Sequence, residues 1–181
     1  MCYVPAVPAL PRPQAVRRIL GVDPGTRVAG WGVVEVSGNQ SRLVACGAVR
    51  TRGDDIPQRL IQVRDALREV VAAHRPDVLA VERPFFGKNA SSALAVGMAR
   101  GVALLAAAEA GLDVHEYPPA TVKRAVVGNG NASKDQVGRM VSLLLGLANV
   151  PEPADATDAL AVALADAHRA PLRDAVRRTS V

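Results

Sequence analysis

Two short apolar runs in this chain each stop on a carboxylate. Arg18-Ile19-Leu20-Gly21-Val22 is closed by Asp23 ahead of the turn Pro24-Gly25-Thr26, and Asp77-Val78-Leu79-Ala80-Val81 is closed by Glu82 ahead of Arg83-Pro84. Apolar runs of this length, bounded by turn residues, read as buried strands. A carboxylate at the end of such a strand is costly unless water, a cation or a hydrogen-bond network holds it. Any fold built on these two strands must present both acids where something can compensate them.

Alternation through Trp31, Val33 and Val36, and again through Leu43, Ala45 and Val49, predicts two further strands and a three-stranded meander at the start. Ile56, Leu60, Val63, Leu67, Val70 and Val71 recur every three or four residues, which predicts an amphipathic helix ending near His74-Arg75-Pro76. After the Glu82 strand come an apolar helix from about Ala90, a short strand around residues 114–117 and a helix opened by Pro118-Pro119 and broken at Gly128-Asn129-Gly130-Asn131. Ser133 is a helix N-cap for a segment whose buried face carries Val137, Met140, Val141, Leu144 and Leu145. A Pro-rich link over residues 150–153 precedes the last helix, expected to end near Arg169. The fold class is therefore α/β, a mixed sheet flanked by helices, and its ligands belong at the strand carboxyl ends.

At 181 residues and 49% hydrophobic content the chain fills one domain, over residues 17–169. Residues 1–16, with four prolines, read as a flexible extension, and residues 170–181 as a C-terminal tail. Cys2 and Cys46 have no metal-binding spacing and no disulfide framework, which points to a reducing, cytoplasmic setting. The apolar helix is interrupted by Ser91, Ser92, Arg100 and Glu109, so it reads as buried in protein and no membrane partner is expected. A net charge of +5 suits a polyanionic partner.

Asp155 and Asp158, three apart at the start of the last helix, share a face in its first turn. Each acid also has a plain structural reading: Asp23 as a turn residue, Glu82 in an ion pair with Arg83 or Arg100, Asp155 or Asp158 as helix-start acids. Convergence of all four favours divalent-metal ligation, and two Mg²⁺ or Mn²⁺ ions about 4 Å apart would drive phosphodiester hydrolysis. His74, His115 and His168 form no catalytic constellation. All three lysines fall near these loops: Lys88, beside Asn89 and shortly after Glu82, Lys123 in a helix, and Lys134 beside the glycine-rich turn. They are candidate phosphate contacts, or simply solubilising charges. Of the adjacent rings Phe85 and Phe86, one is placed to stack on an unpaired base, unless both pack inward.

Residues 19–27 (ILGVDPGTR), Val81-Glu82 with Phe85 and Lys88-Asn89, Val122-Lys123 with Val126-Val127-Gly128, and residues 154–161 (ADATDALA) closely resemble bacterial RuvC crossover-junction endodeoxyribonucleases, in collinear order over about residues 17–168. The resemblance implies a ribonuclease H-like fold, a homodimer, and Mg²⁺-dependent resolution of four-way (Holliday) junctions by paired nicks leaving 5′-phosphate and 3′-hydroxyl ends, in company with the RuvA-RuvB branch-migration machinery. It implies that Asp23, Glu82, Asp155 and Asp158 are the catalytic, metal-binding tetrad, that Phe85 stacks at the junction and that Lys123 and Lys134 contact DNA. Gly97 and Gly101 on the apolar helix allow close backbone approach, either across a dimer interface or within the chain. Other readings remain: a RuvC-like nuclease acting on RNA or other branched DNA, or a non-catalytic junction-binding module. An actin-like or Hsp70-like ATPase, whose first phosphate loop is similar, needs a second domain that 181 residues do not hold.

Overall fold

Parallel pairing of the two acid-terminated strands is the centre of the architecture. The structure, a computed structural model, describes residues 16–83 and 90–179, with side chains over 16–83 and 93–169. β1 (Arg17–Asp23) pairs antiparallel with β2 (Val28–Ser37), which pairs antiparallel with β3 (Gln40–Arg50). After α1 (Ile56–His74), β4 (Val78–Glu82) returns parallel to β1, and after α2 (Ala90–Glu109), β5 (Asp113–Tyr117) lies parallel to β4. The five-stranded order is β3-β2-β1-β4-β5, and α3 (Pro119–Val127), α4 (Lys134–Leu144) and α5 (Ala154–Thr179) follow.

Strand alternation sorts the core into two faces. Leu20, Val22, Val33, Leu79 and Val81 meet Val63, Leu67 and Val70 of α1 and Ala103, Ala106 and Ala107 of α2. On the other face Ile19, Val34, Ala80 and Tyr117 meet α5 through Leu160, Ala163 and Leu164, with Val122 and Val126 of α3 and Val137 and Val141 of α4 beside them. Leu160 and Leu164 are wholly buried, each stabilising the packing by about 1.5–3 kcal/mol.

The helix boundaries follow local chemistry. Asp55 caps α1 and accepts from the Gln58 N–H, and Gly128 closes α3 in the left-handed conformation. Ser133 and Gln136 form a reciprocal capping box that starts α4 at Lys134. The expected end of the last helix near Arg169 is corrected: α5 runs through Pro171 to Thr179. A proline removes one backbone bond, while the following Leu, Arg and Ala residues favour continued helix. Among the described residues, no helix is long and apolar enough to cross a membrane.

Candidate active site

The register that pairs Val22 with Val81 leaves Asp23 and Glu82 as neighbours at the carboxyl edge of the sheet. Asp23 shares a face with Ile19 and Gly21, and Glu82 with Ala80, so both acids turn toward α5. Asp158, on the first turns of α5, meets them there. Asp23, Glu82 and Asp158 line one cleft of about 280 Å³ together with Lys123, Lys134, Pro119, Val122, Val137 and Ala161. Asp155 does not line this cleft, but its charge acts on both Asp23 and Lys134.

Three glycines let α5 come this close. On β1 and β2, Gly21 stands opposite Gly32, and Asp23 opposite Gly30. A Cβ at Gly21 would overlap the Ala159 carbonyl and stand 2.8 Å from the Ala163 nitrogen. One at Gly30 would overlap the Asp155 carbonyl and stand 3.1 Å from the Asp155 Cβ, and one at Gly32 would stand 2.6 Å from Leu160 Cδ2. The bare stripe thus sets the distance between the sheet and the helix turn that carries Asp155 and Asp158. Sequence reasoning passed over these residues. The available signal was glycine at alternate positions inside apolar strands, where it weakens the strand unless another backbone must approach.

Burial, then repulsion, controls the charge. Burial and the nearby Asp158 and Asp155 carboxylates push the Asp23 carboxyl up to about 6, against a partial offset from Lys134. Burial, Asp23 and Asp158 push Glu82 up to about 7, with Lys134 and Lys123 acting the other way. Lys134 Nζ donates to Asp158 Oδ2 at 2.6 Å, and that hydrogen bond raises the lysine further. The ion-pair reading of Glu82 finds no support: the Arg100 guanidinium is committed to Glu116 at 2.6 Å, and among the described residues no ion pair joins Glu82 to Arg83.

Hard carboxylate oxygens, short of positive charge and partly desolvated, fit a hard divalent cation such as Mg²⁺ or Mn²⁺. Among the described residues, no three His, Cys, Asp or Glu side chains are already gathered as a metal cage, so the cluster fits by its donor chemistry and charge. The histidines have other partners: His74 stacks on Trp31 with ring centroids 6.0 Å apart, His115 Nδ1 lies 2.7 Å from Asp166 Oδ1, and His168 Nδ1 lies 3.0 Å from the Ala125 carbonyl oxygen. Phe85, Phe86, Lys88 and Asn89 lie outside the described residues.

The family model described as crossover junction endodeoxyribonuclease RuvC matches residues 19–166. A crossover junction endodeoxyribonuclease RuvC from Chloroflexus aurantiacus is 54% identical over 155 residues, 85% of this chain and 94% of the relative. One from Heliobacterium modesticaldum is 52% identical over 151 residues, 83% of this chain and 93% of the relative. Among solved structures, Thermus thermophilus RuvC in complex with Holliday junction substrate superposes with a TM-score of 0.81 at 38% identity, covering 87% of this chain and 96% of that one. The yeast mitochondrial Holliday junction resolvase Ydc2, at 12% identity and a TM-score of 0.63, shares the fold.

Proposed function

This chain belongs to the RuvC family of crossover junction endodeoxyribonucleases, and on that premise we propose that its acidic cleft hydrolyses phosphodiesters in four-way junction DNA during recombination and repair. The chain is a divalent-metal-dependent junction nuclease with a ribonuclease H-like fold. The observation that carries the reading is the cleft itself, where acids from β1, β4 and α5 meet two lysines from α3 and α4.

Asp23, Glu82, Asp155 and Asp158 are the groups that would hold Mg²⁺, with Mn²⁺ as a substitute and two ions per site. Bound there, such a metal would supply an activated water and would stabilise charge on the leaving oxygen. The chain's own part is positional. Lys123 and Lys134 face the cleft as flexible point charges for the phosphates on either side of the cut. Lys134 exchanges its Asp158 contact for a phosphate when DNA enters, and its exposed position on the first turn of α4 leaves that movement free. The water oxygen bonds to phosphorus and gives up a proton to solvent, the bond from phosphorus to the 3′ oxygen breaks, and that oxygen takes a proton from solvent, so the ends are a 5′-phosphate and a 3′-hydroxyl. Phe85 is assigned to stacking at the junction, and Lys88 and Asn89 to the DNA backbone.

Two equivalent cuts call for two equivalent sites, which a two-fold dimer provides. The outer face of α2 supports this: Leu94 and Leu105 are 61% and 51% exposed, and a Cβ at Gly97 or Gly101 meets no described atom within 4 Å. That small, apolar stripe is assigned to the partner copy. Cooperation with RuvA and RuvB and a cytoplasmic setting complete the proposal.

The test offers the protein a mobile four-way DNA junction, linear duplex of the same sequence and a structured RNA, each with Mg²⁺ or with EDTA. Cutting confined to the junction and to Mg²⁺ is the expected result. Equal cutting of RNA would replace the substrate, and junction binding with no cutting in Mg²⁺ or Mn²⁺ would reduce the protein to a binding module.

A further inference from the structure

A second cavity, larger than the catalytic cleft, opens beside it. It measures about 480 Å³, shares Lys134 and Asp158 with the catalytic cleft, and lies between α4 and the start of α5. Its wall is the segment 150–153. The Thr157 hydroxyl donates to the Pro151 carbonyl at 2.5 Å, and the Ser142 hydroxyl shares its hydrogen between the Gly138 carbonyl at 3.1 Å and, at 3.2 Å, the carbonyl of Asn149 next to the wall, so both flanking helices hold that segment. Gly138 lets it close in, because a Cβ there would stand 3.2 Å from Val150 Cγ1. The cavity is preformed, and ligand pockets usually are.

Its chemistry selects among the parts of a DNA strand. The lining surface is mostly apolar, through Val150, Pro151, Pro153 and Gly138, as a flat ring requires. The charges are Lys134 and Arg139 against Asp135, Glu152 and Asp158, two cations facing three carboxylates. That balance disfavours a phosphate and favours a neutral group with hydrogen-bonding edges. Because Lys134 and Asp158 line both cavities, a strand held by its phosphate in the catalytic cleft has this second cavity beside it.

We propose that this cavity is a nucleobase subsite, taking the unstacked base that flanks the scissile phosphate and reading its edge through Arg139. The inference rests on the junction-nuclease reading above and adds a specificity determinant to it. Guanine matches the lining best: its O6 and N7 accept from a guanidinium fork, and its N1 and N2 hydrogens suit a carboxylate such as Glu152 or Asp135.

The test is cleavage of four-way junctions in which the two nucleotides flanking each cut position are randomised, read by sequencing the products. Wild-type protein should favour guanine at one flanking position by about 10- to 100-fold, and Arg139→Ala should flatten that preference. Val150→Trp, which fills the cavity from a partly exposed wall position, should make cutting indifferent to an abasic nucleotide that slows the wild type by at least about ten-fold. Cutting by Arg139→Ala with the wild-type profile, or an abasic junction cut at full rate by wild type, overturns the subsite and leaves the nuclease reading intact. Absence of cutting in every wild-type reaction removes the nuclease reading itself.

Discussion

Replacing Gly30 by alanine tests whether the bare glycine stripe sets the position of the α5 acids. The added Cβ would stand 3.1 Å from the Asp155 Cβ and inside the Asp155 carbonyl group. Carbon atoms pack at about 3.5–4.0 Å. The Asp155 carbonyl is main chain and its Cβ is fixed by the main chain, so neither can rotate away, and strand and helix must part by about 1 Å at the turn that carries Asp155 and Asp158. Overpacking of this kind costs about 1–3 kcal/mol, and a 1 Å error in an active site slows reaction by about 100-fold. Gly30→Ala is therefore expected to remain folded with a lowered Tm, to bind a four-way junction as the wild type does, and to cut it about 100-fold more slowly in single-turnover assays with Mg²⁺. Gly32→Ala is the internal comparison. Its nearest neighbour is the end of the Leu160 side chain, 2.6 Å away, which can change rotamer, so it should destabilise the protein while cutting within about ten-fold of wild type. A folded Gly30→Ala protein that cuts at the wild-type rate would refute the claim that close backbone approach positions these acids.

Other perturbations address the charges. Asp158→Asn should slow cutting by more than about 100-fold, beyond the loss from removing even an outer partner of a metal site, with junction affinity kept or increased, as gel shift in EDTA would register. Asp23 and Glu82 titrate near 6 and 7, above their ordinary values of 3.8 and 4.5, so the folded protein binds more protons than the unfolded one across about pH 4–7 and loses stability as pH rises through that window. Thermal melts in EDTA should accordingly show an Asp23→Asn, Glu82→Gln double variant gaining Tm over wild type from pH 5 to pH 8; a constant difference would contradict the shifts. Lys123→Ala should weaken binding to junctions of any sequence and lower the slope of log affinity against log salt by about one. Asp166 is fully buried and accepts from the Tyr117 hydroxyl at 2.7 Å, with His115 Nδ1 at the same distance, so Asp166→Leu should cost about 3–5 kcal/mol in urea unfolding.

The order and type of the elements were legible because each carries its own local code. Unbroken apolar runs marked β1 and β4, alternation marked β2 and β3, a three-to-four-residue period marked α1, and Ser133 and Gly128 marked the ends of helices. That Asp23 and Glu82 would share a cleft was legible because a carboxylate ending an apolar strand demands compensation. What escaped was long-range. Nothing in Gly21, Gly30 or Gly32 taken singly announces a helix lying on them, since that contact joins residues more than a hundred positions apart. The buried Asp166 reads as one more exposed acid on α5 until β5 brings Tyr117 and His115 against it. Arg100 looked available to Glu82 and belongs instead to Glu116, on the adjacent strand. The end of α5 is not legible at Pro171, because the helix-favouring residues after it carry the helix on to Thr179.

The most direct measurement maps the cuts in a four-way junction on all four strands in Mg²⁺, for wild type and for Glu82→Gln. If the edge-of-sheet acids are the metal-dependent cutting site, wild type will nick two strands of like polarity at symmetric positions and Glu82→Gln will bind the junction without nicking it. Full-rate nicking by Glu82→Gln, or unpaired cuts scattered over all four strands by wild type, would contradict it.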